Sequence, residues 1–287
     1  MEEEKHKKKA SLVSVIILFL VIILITVLIT KKYVNYSGTT ESLNLVDTES
    51  KDYITSKKLE INSYITSLNE LYGINVIYGE NSLNYANKVD ATIEDDLNIV
   101  NNNLKILFHT LEKYPKGMFE MFRNKEYKMD VIILDKFTNN NLALASKNNL
   151  KEIKLYISNT DKFERAIHHE LFHIFEYYMQ DKNSSVYNGW ENLNPSKFKY
   201  ESNISKLDNK YVYEKDNDLN NCYFLTKYAK SSQKEDRAET FAEIMMLQKE
   251  PDYLKQDTNI NKKVINLMEE MSKFLNTKNI YCDKFMK

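Results

Sequence analysis

Residues 169–173 read His-Glu-Leu-Phe-His, and no other stretch limits the fold as strongly. Residues four apart on a helix stand one above the other, about 5–6 Å between Cβ atoms, so two imidazoles at this spacing share one metal ion only if the segment is helical. The glutamate between them then lies at the edge of the pair, where it can take a proton from a water on the ion. The competing reading is a pair of solvent-facing histidines on a surface helix. The flanks weigh against it, because Phe163, Ala166, Ile167, Leu171, Ile174, Phe175 and Tyr178 recur at helical spacing. A helix over 163–180 therefore has an apolar face that anchors it and an apolar wall beside the histidines.

A hydrolytic zinc site needs a third protein ligand and an open fourth position. The five histidines are His6, His109, His168, His169 and His173, so none follows the motif, and the third ligand falls to a carboxylate. His109 reads as a surface or core residue of another helix. His168, about 100° around the helix from His169, reads as a surface residue or a support for the site, not a ligand. Glu235, Asp236, Glu239 and Glu243 concentrate the carboxylate candidates in one helical stretch. Glu235 and Glu239 are four apart, so one can bind metal while the other accepts the N–H of a ligating histidine and fixes its tautomer. With Lys234 and Arg237 beside them, the same residues read equally as a solvated charged face.

The rest of the chain places this site. Residues 11–30 carry no charge and match the ~20 residues that cross a bilayer as a helix. Lys5, Lys7, Lys8 and Lys9 precede the run and only Lys31 and Lys32 follow closely. This asymmetry puts residues 1–10 in the cytoplasm and the remaining mass outside. A cleaved signal peptide needs a shorter apolar core and a small-x-small site, which Thr30-Lys-Lys-Tyr-Val34 lacks, so an uncleaved single-pass anchor is expected. Residues 31–52, polar and weakly periodic, read as a tether, and 53–287 as one extracellular domain.

Within that domain, 59–71, 97–111, about 234–249 and about 261–275 show helical spacing. Short strands are expected at 73–79, 129–134 and 152–157, the last alternating Ile153, Leu155 and Ile157 with the wetter Lys154 and Tyr156. Five glycines and three prolines in 287 residues lie far below the usual ~7% and ~5%, which favours helices over tight turns. The fold class is α+β, helix-rich with a small mixed sheet. A net charge of −1 with no basic stripe excludes nucleic acid as a partner. Cys222 and Cys282 form either one disulfide or two buried thiols, and are too few for a structural zinc knuckle.

The stretch Tyr228-Ala-Lys-Ser-Ser-Gln-Lys-Glu235-Asp-Arg-Ala-Glu239-Thr-Phe-Ala-Glu243 resembles the Y-A-x5-E-x-x-A-E pattern of the glutamate-zincin peptidases related to the catalytic domain of anthrax lethal factor. It is more similar still to bacterial zinc-binding metallopeptidases sharing that core. The resemblance covers roughly 95–250, including the Gly189–Pro195 loop, and leaves out the membrane run and the tether. It implies a zincin-like fold with Zn2+ held by His169, His173 and Glu235, Glu239 as the carboxylate partner of a ligating histidine, and Glu170 as general base acting on a zinc-activated water. It also implies that Tyr228 reaches over the metal and donates to the developing oxyanion, where one lost donor typically costs ~10²–10³ in rate. The strand before the motif helix, here 152–157, would be the edge along which substrate lies, with Tyr156 or Lys154 facing substrate or solvent. The 61 residues between His173 and Glu235 are long for this group, so the helix is assigned more firmly than Glu235 over Glu239.

The expectation is therefore a membrane-anchored zinc metallopeptidase acting on protein or peptide. Two alternatives stand beside it: a catalytically inactive surface binding protein on the same fold, and a zinc hydrolase of cell-wall peptides.

Overall fold

A computed structural model describes residues 45–215, 218–247, 251–255 and 257–275. The chain divides into a unit of Met1–Tyr53 and a unit of Ile54–Lys287. The apolar run 11–30, residues 31–44 of the tether and Cys282 lie outside the described residues. Among the described residues no helix is long and apolar enough to cross a membrane.

Helix α1 (Leu45–Tyr72) begins inside the stretch expected as tether. Residues 45–52 contain neither glycine nor proline, so nothing in them stops the helix. Gly73 ends it at φ 71°, and a Cβ there would stand 2.6 Å from the Phe122 carbonyl carbon, so only glycine fits. The chain continues through β1 (Ile74–Ile77), α2 (Leu83–Ala86), β2 (Ala91–Ile93), α3 (Leu97–Leu111) and α4 (Glu120–Arg123). Strands β3 (Lys128–Phe137), β4 (Ala143–Lys147) and β5 (Glu152–Ser158) follow, then α5 (Phe163–Lys182), α6 (Gln233–Met246) and α7 (Asn259–Phe274). Between α5 and α6 the described chain is irregular, with short 3-10 turns.

The sheet is mixed, in the order β1-β3-β5-β4, with β2 also on β3. β1, β3 and β5 are parallel, while β4 runs antiparallel to β5 and β2 to β3. This corrects one expectation: 152–157 is not the edge. β5 is paired on both sides, and the outer strand on that side of the sheet is β4. β4 escapes a sequence reading because Ala-Leu-Ala-Ser-Lys lacks β-branched and aromatic residues, so its extended state comes from pairing with β5.

Period-two alternation sends the two faces of the sheet into separate cores. Met129, Val131, Ile133, Ile153, Leu155 and Ile157 pack with Ile167, Leu171, Ile174 and Phe175 of α5. Ile132, Leu134 and Tyr156 pack with Ala86 and Phe137 on the other face. The expected wetter face of β5 is thus half wrong. Tyr156 is buried because the 79–93 excursion covers that face, while Lys154 reaches water beside Glu152.

The expectation that His168 is a surface or site-supporting residue is also corrected. Its side chain is fully buried on the core side of α5, hydrogen-bonded through Nδ1 to the buried Tyr114 hydroxyl, with Glu164 near Nε2. His109 is a surface residue paired with Glu112. The neighbouring His168 imidazole, against an opposing burial effect and with help from Lys113, holds the Glu164 carboxyl at about 2, below the ordinary 4.5. A depressed carboxyl stabilises the fold fully above about pH 4.5 and loses that contribution as pH falls through about 2. In thermal unfolding followed by circular dichroism, Glu164→Gln melts below wild type at pH 6, and the gap closes as pH falls from about 4.5 toward 2. A gap independent of pH over that range would show that Glu164 stabilises by packing alone.

Candidate metal centre

Helix α5 is anchored by Leu171, Phe172, Ile174 and Phe175, all fully buried. The anchor leaves His169 and His173 on the stripe facing α6, each 8% exposed. The start of α6 is set by Ser232, whose side chain accepts from the Glu235 N–H at 3.2 Å. Ser232-x-x-Glu235 has the capping-box pattern, but only the serine half is made. The Glu235 side chain turns to the histidines.

His169 Nε2 lies 2.9 Å from Glu235 Oε2, His173 Nε2 lies 3.2 Å from His169 Nε2, and His173 Nε2 lies 3.5 Å from Glu235 Oε2. Tetrahedral zinc with bonds of about 2.0–2.2 Å spaces its ligand atoms roughly 3.3–3.6 Å apart. The triangle therefore needs only tenths of an ångström of adjustment to hold such an ion. The donor set, two imidazoles and a carboxylate, is one that zinc takes, and these three residues form a group able to hold a metal.

Glu239, one turn beyond Glu235 and 4% exposed, has a different set of partners. Its Oε1 lies 2.8 Å from His169 Nδ1 and accepts from Arg165 Nη1 at 3.1 Å. Its Oε2 accepts from Arg165 Nη2 at 2.8 Å and from the Thr226 hydroxyl at 2.7 Å. A carboxylate offers about four lone-pair sites, and here all four are used. His169 faces a carboxylate from each ring nitrogen. Burial opposes its charge, but Glu235 and Glu239 outweigh burial and raise its pKa to about 10. Burial likewise opposes ionisation of both glutamates. Hydrogen bonds from the histidines depress Glu235, and those from His169 and Arg165 hold Glu239 at about 2.

Glu170 is 9% exposed, and its Oε2 accepts from the Ala145 N–H of β4 at 2.6 Å. Burial raises its carboxyl above the ordinary value, against the pull of His169 and His173. Tyr228, on a 3-10 turn before α6, is 39% exposed, with its ring 6.1 Å from that of His169. Burial and then the Glu235 charge push its phenol up, so it keeps its proton at neutral pH.

The other two carboxylates of the candidate helix point elsewhere. Asp236 Oδ2, fully buried, accepts from Lys263 at 2.6 Å, Trp190 Nε1 at 2.8 Å and the Tyr200 hydroxyl at 2.8 Å. Glu243 accepts from the Tyr253 hydroxyl. Arg237 donates from Nε to Glu176 of α5 at 2.7 Å, both side chains buried. Sequence reading missed Arg165 and Thr226. Only Arg165 left a signal, standing one helical turn before His169 on the same face.

No protein-family model matches the sequence, and a search of curated proteins finds no match. Among solved structures, a protein from Bacteroides caccae ATCC 43185, described as a "putative zinc-binding metallo-peptidase", is similar in fold. It is 17% identical, with a TM-score of 0.50 over 79% of this chain and 89% of that one. The likeness is one of fold: a helix-rich α+β domain with a small mixed sheet.

Proposed function

We propose that this protein is a zinc-dependent peptidase of the glutamate-zincin type, kin to the lethal-factor catalytic domain and held at the outer cell surface by residues 11–30. The observation that carries the reading is the convergence of His169, His173 and Glu235 from two helices, with Glu170 beside them. The fold shared with the Bacteroides caccae protein, whose description names zinc binding and peptidase, supports it. His169, His173 and Glu235 would hold the ion. When bound, the ion supplies Lewis acidity, acidifying a water and polarising a carbonyl.

Glu170 moves the proton. With Oε2 occupied by the Ala145 N–H, Oε1 is the atom left to take a proton from the attacking water and hand it to the leaving amine. Tyr228 donates its hydroxyl to the substrate oxygen as charge develops. Substrate lies along β4. Leu142 and Asn148 bond toward β5, so the alternate residues turn their backbone groups away from it; Ala145 gives its N–H to Glu170, and Ala143 and Lys147 on either side of it are where an extended peptide can pair.

Metal analysis of the purified protein tests the assignment. Glu235→Ala loses zinc, whereas Glu239→Ala keeps it with roughly 10–100-fold weaker affinity, because an outer partner of a ligating histidine has gone. Zinc lost in Glu239→Ala alone would exchange the two roles, and no zinc in wild type would overturn the peptidase reading. Cleavage of denatured protein, folded protein and cell-wall fragments then separates a peptidase from a wall-peptide hydrolase or an inactive binding protein.

A further inference from the structure

Glu239 belongs to a network that joins three separate pieces of the chain. Arg165, four residues before His169 on α5, meets both carboxylate oxygens with its two terminal nitrogens at 3.1 and 2.8 Å. Thr226 lies outside any helix, in the segment leading into α6. Its hydroxyl donates to Glu239 Oε2 and accepts the Ala229 N–H at 3.1 Å, inside the turn that carries Tyr228. A parallel two-point contact fixes the plane of a carboxylate, which a single ammonium cannot do. The plane of Glu239 in turn sets the direction of the His169 Nδ1–H bond and leaves Nε2 toward His173 and Glu235.

We propose that Arg165 and Thr226 are positioning residues of the metal centre: together they clamp Glu239 so that His169 is presented to the ion in one tautomer and one orientation, and Thr226 ties that clamp to the Tyr228 turn. This inference rests on the zinc-peptidase reading. Neither residue is among the three that converge as ligands. The Arg165 side chain is 28% exposed, so its replacement leaves the core intact.

The test is zinc affinity of the full chain, measured by competition with a chromophoric chelator, with circular dichroism melting to establish that each variant is folded. Arg165→Met, Arg165→Lys and Thr226→Val bind zinc roughly 10–100-fold more weakly than wild type. Thr226→Ser keeps the hydroxyl and keeps wild-type affinity. Full affinity in Arg165→Lys would show that charge alone suffices and overturn the clamp. Unchanged affinity in folded Arg165→Met and Thr226→Val would overturn it as well. Wild type that binds no zinc would instead sink the peptidase reading on which the inference stands, so the two failures are told apart.

Discussion

Glu170→Gln abolishes peptide hydrolysis by roughly 10²–10⁴-fold, the range for a lost general base, while zinc content stays at the wild-type level. Glutamine has nearly the volume of glutamate, and its carbonyl oxygen can still accept the Ala145 N–H that holds Glu170 against β4. The substitution therefore removes the capacity to take and return a proton and little else. Zinc uptake is spared because Glu170 is not among the three side chains that converge as ligands. Metal analysis and cleavage of a peptide substrate on the same preparation check both halves. Full hydrolysis by the variant would remove Glu170 from the mechanism, and loss of zinc would make it part of the metal site.

Lys263→Met unfolds the domain far more readily, by about 3–5 kcal/mol, the cost of leaving one member of a buried ion pair without its partner. At roughly 2–4 °C per kcal/mol for a domain of this size, the melting temperature drops by about 6–20 °C. Lys263 and Asp236 are each 1% exposed and bonded at 2.6 Å, and the ammonium also lies 3.9 Å from the centre of the Phe224 ring. Burial pulls the lysine pKa down while Asp236 opposes the shift. Methionine fills the space but leaves the aspartate with only Trp190 and Tyr200 as donors. Asp236→Asn combined with Lys263→Met keeps an acceptor for both rings and removes the stranded charge, so it recovers most of the loss. Equal melting of wild type and Lys263→Met would show that the pair contributes nothing net. Because Asp236 adjoins Glu235, the single variant also weakens zinc binding, whereas the double variant restores it.

Much of the site is legible in the order of residues because local geometry is enough to write it. His169, Glu170 and His173 are fixed by helical spacing, and α5 itself by the recurrence of Phe163, Ile167, Leu171 and Ile174 on one stripe. Glu235 and Glu239 likewise announce a shared face at i, i+4. What spacing leaves level is whether that face meets the histidines or water, and the packing of α6 on α5 decides it. The Glu239 lone pairs are taken up by Arg165, His169 and Thr226, while Glu235 is directed at both histidines. The edge strand is the clearest failure. The family resemblance puts the edge on the strand just before the motif helix, here 152–157, yet that strand, rich in β-forming residues, lies paired between β3 and β4. The weakly patterned Ala143–Lys147 takes the edge, where one side needs no partner.

The sequence by itself determined the chemistry available: two imidazoles and a base on one helical turn, a carboxylate pair on another helix, a tyrosine seven residues before it, and an uncharged twenty-residue run at the N-terminus. The two i, i+4 pairs are relations between residues close in the chain, where helix geometry leaves little freedom, while the tyrosine gains its meaning from the family pattern it resembles. Tertiary structure alone decided which residues, 66 to 74 positions apart, stand within hydrogen-bonding distance of one another: His169 with Glu235, His169 with Glu239, Arg165 with Glu239. It also sent His168 into the core and Asp236 to Lys263. Such partnerships depend on how buried faces and buried charges are jointly satisfied across the whole domain, and a buried charge takes whichever partner the packing brings to it.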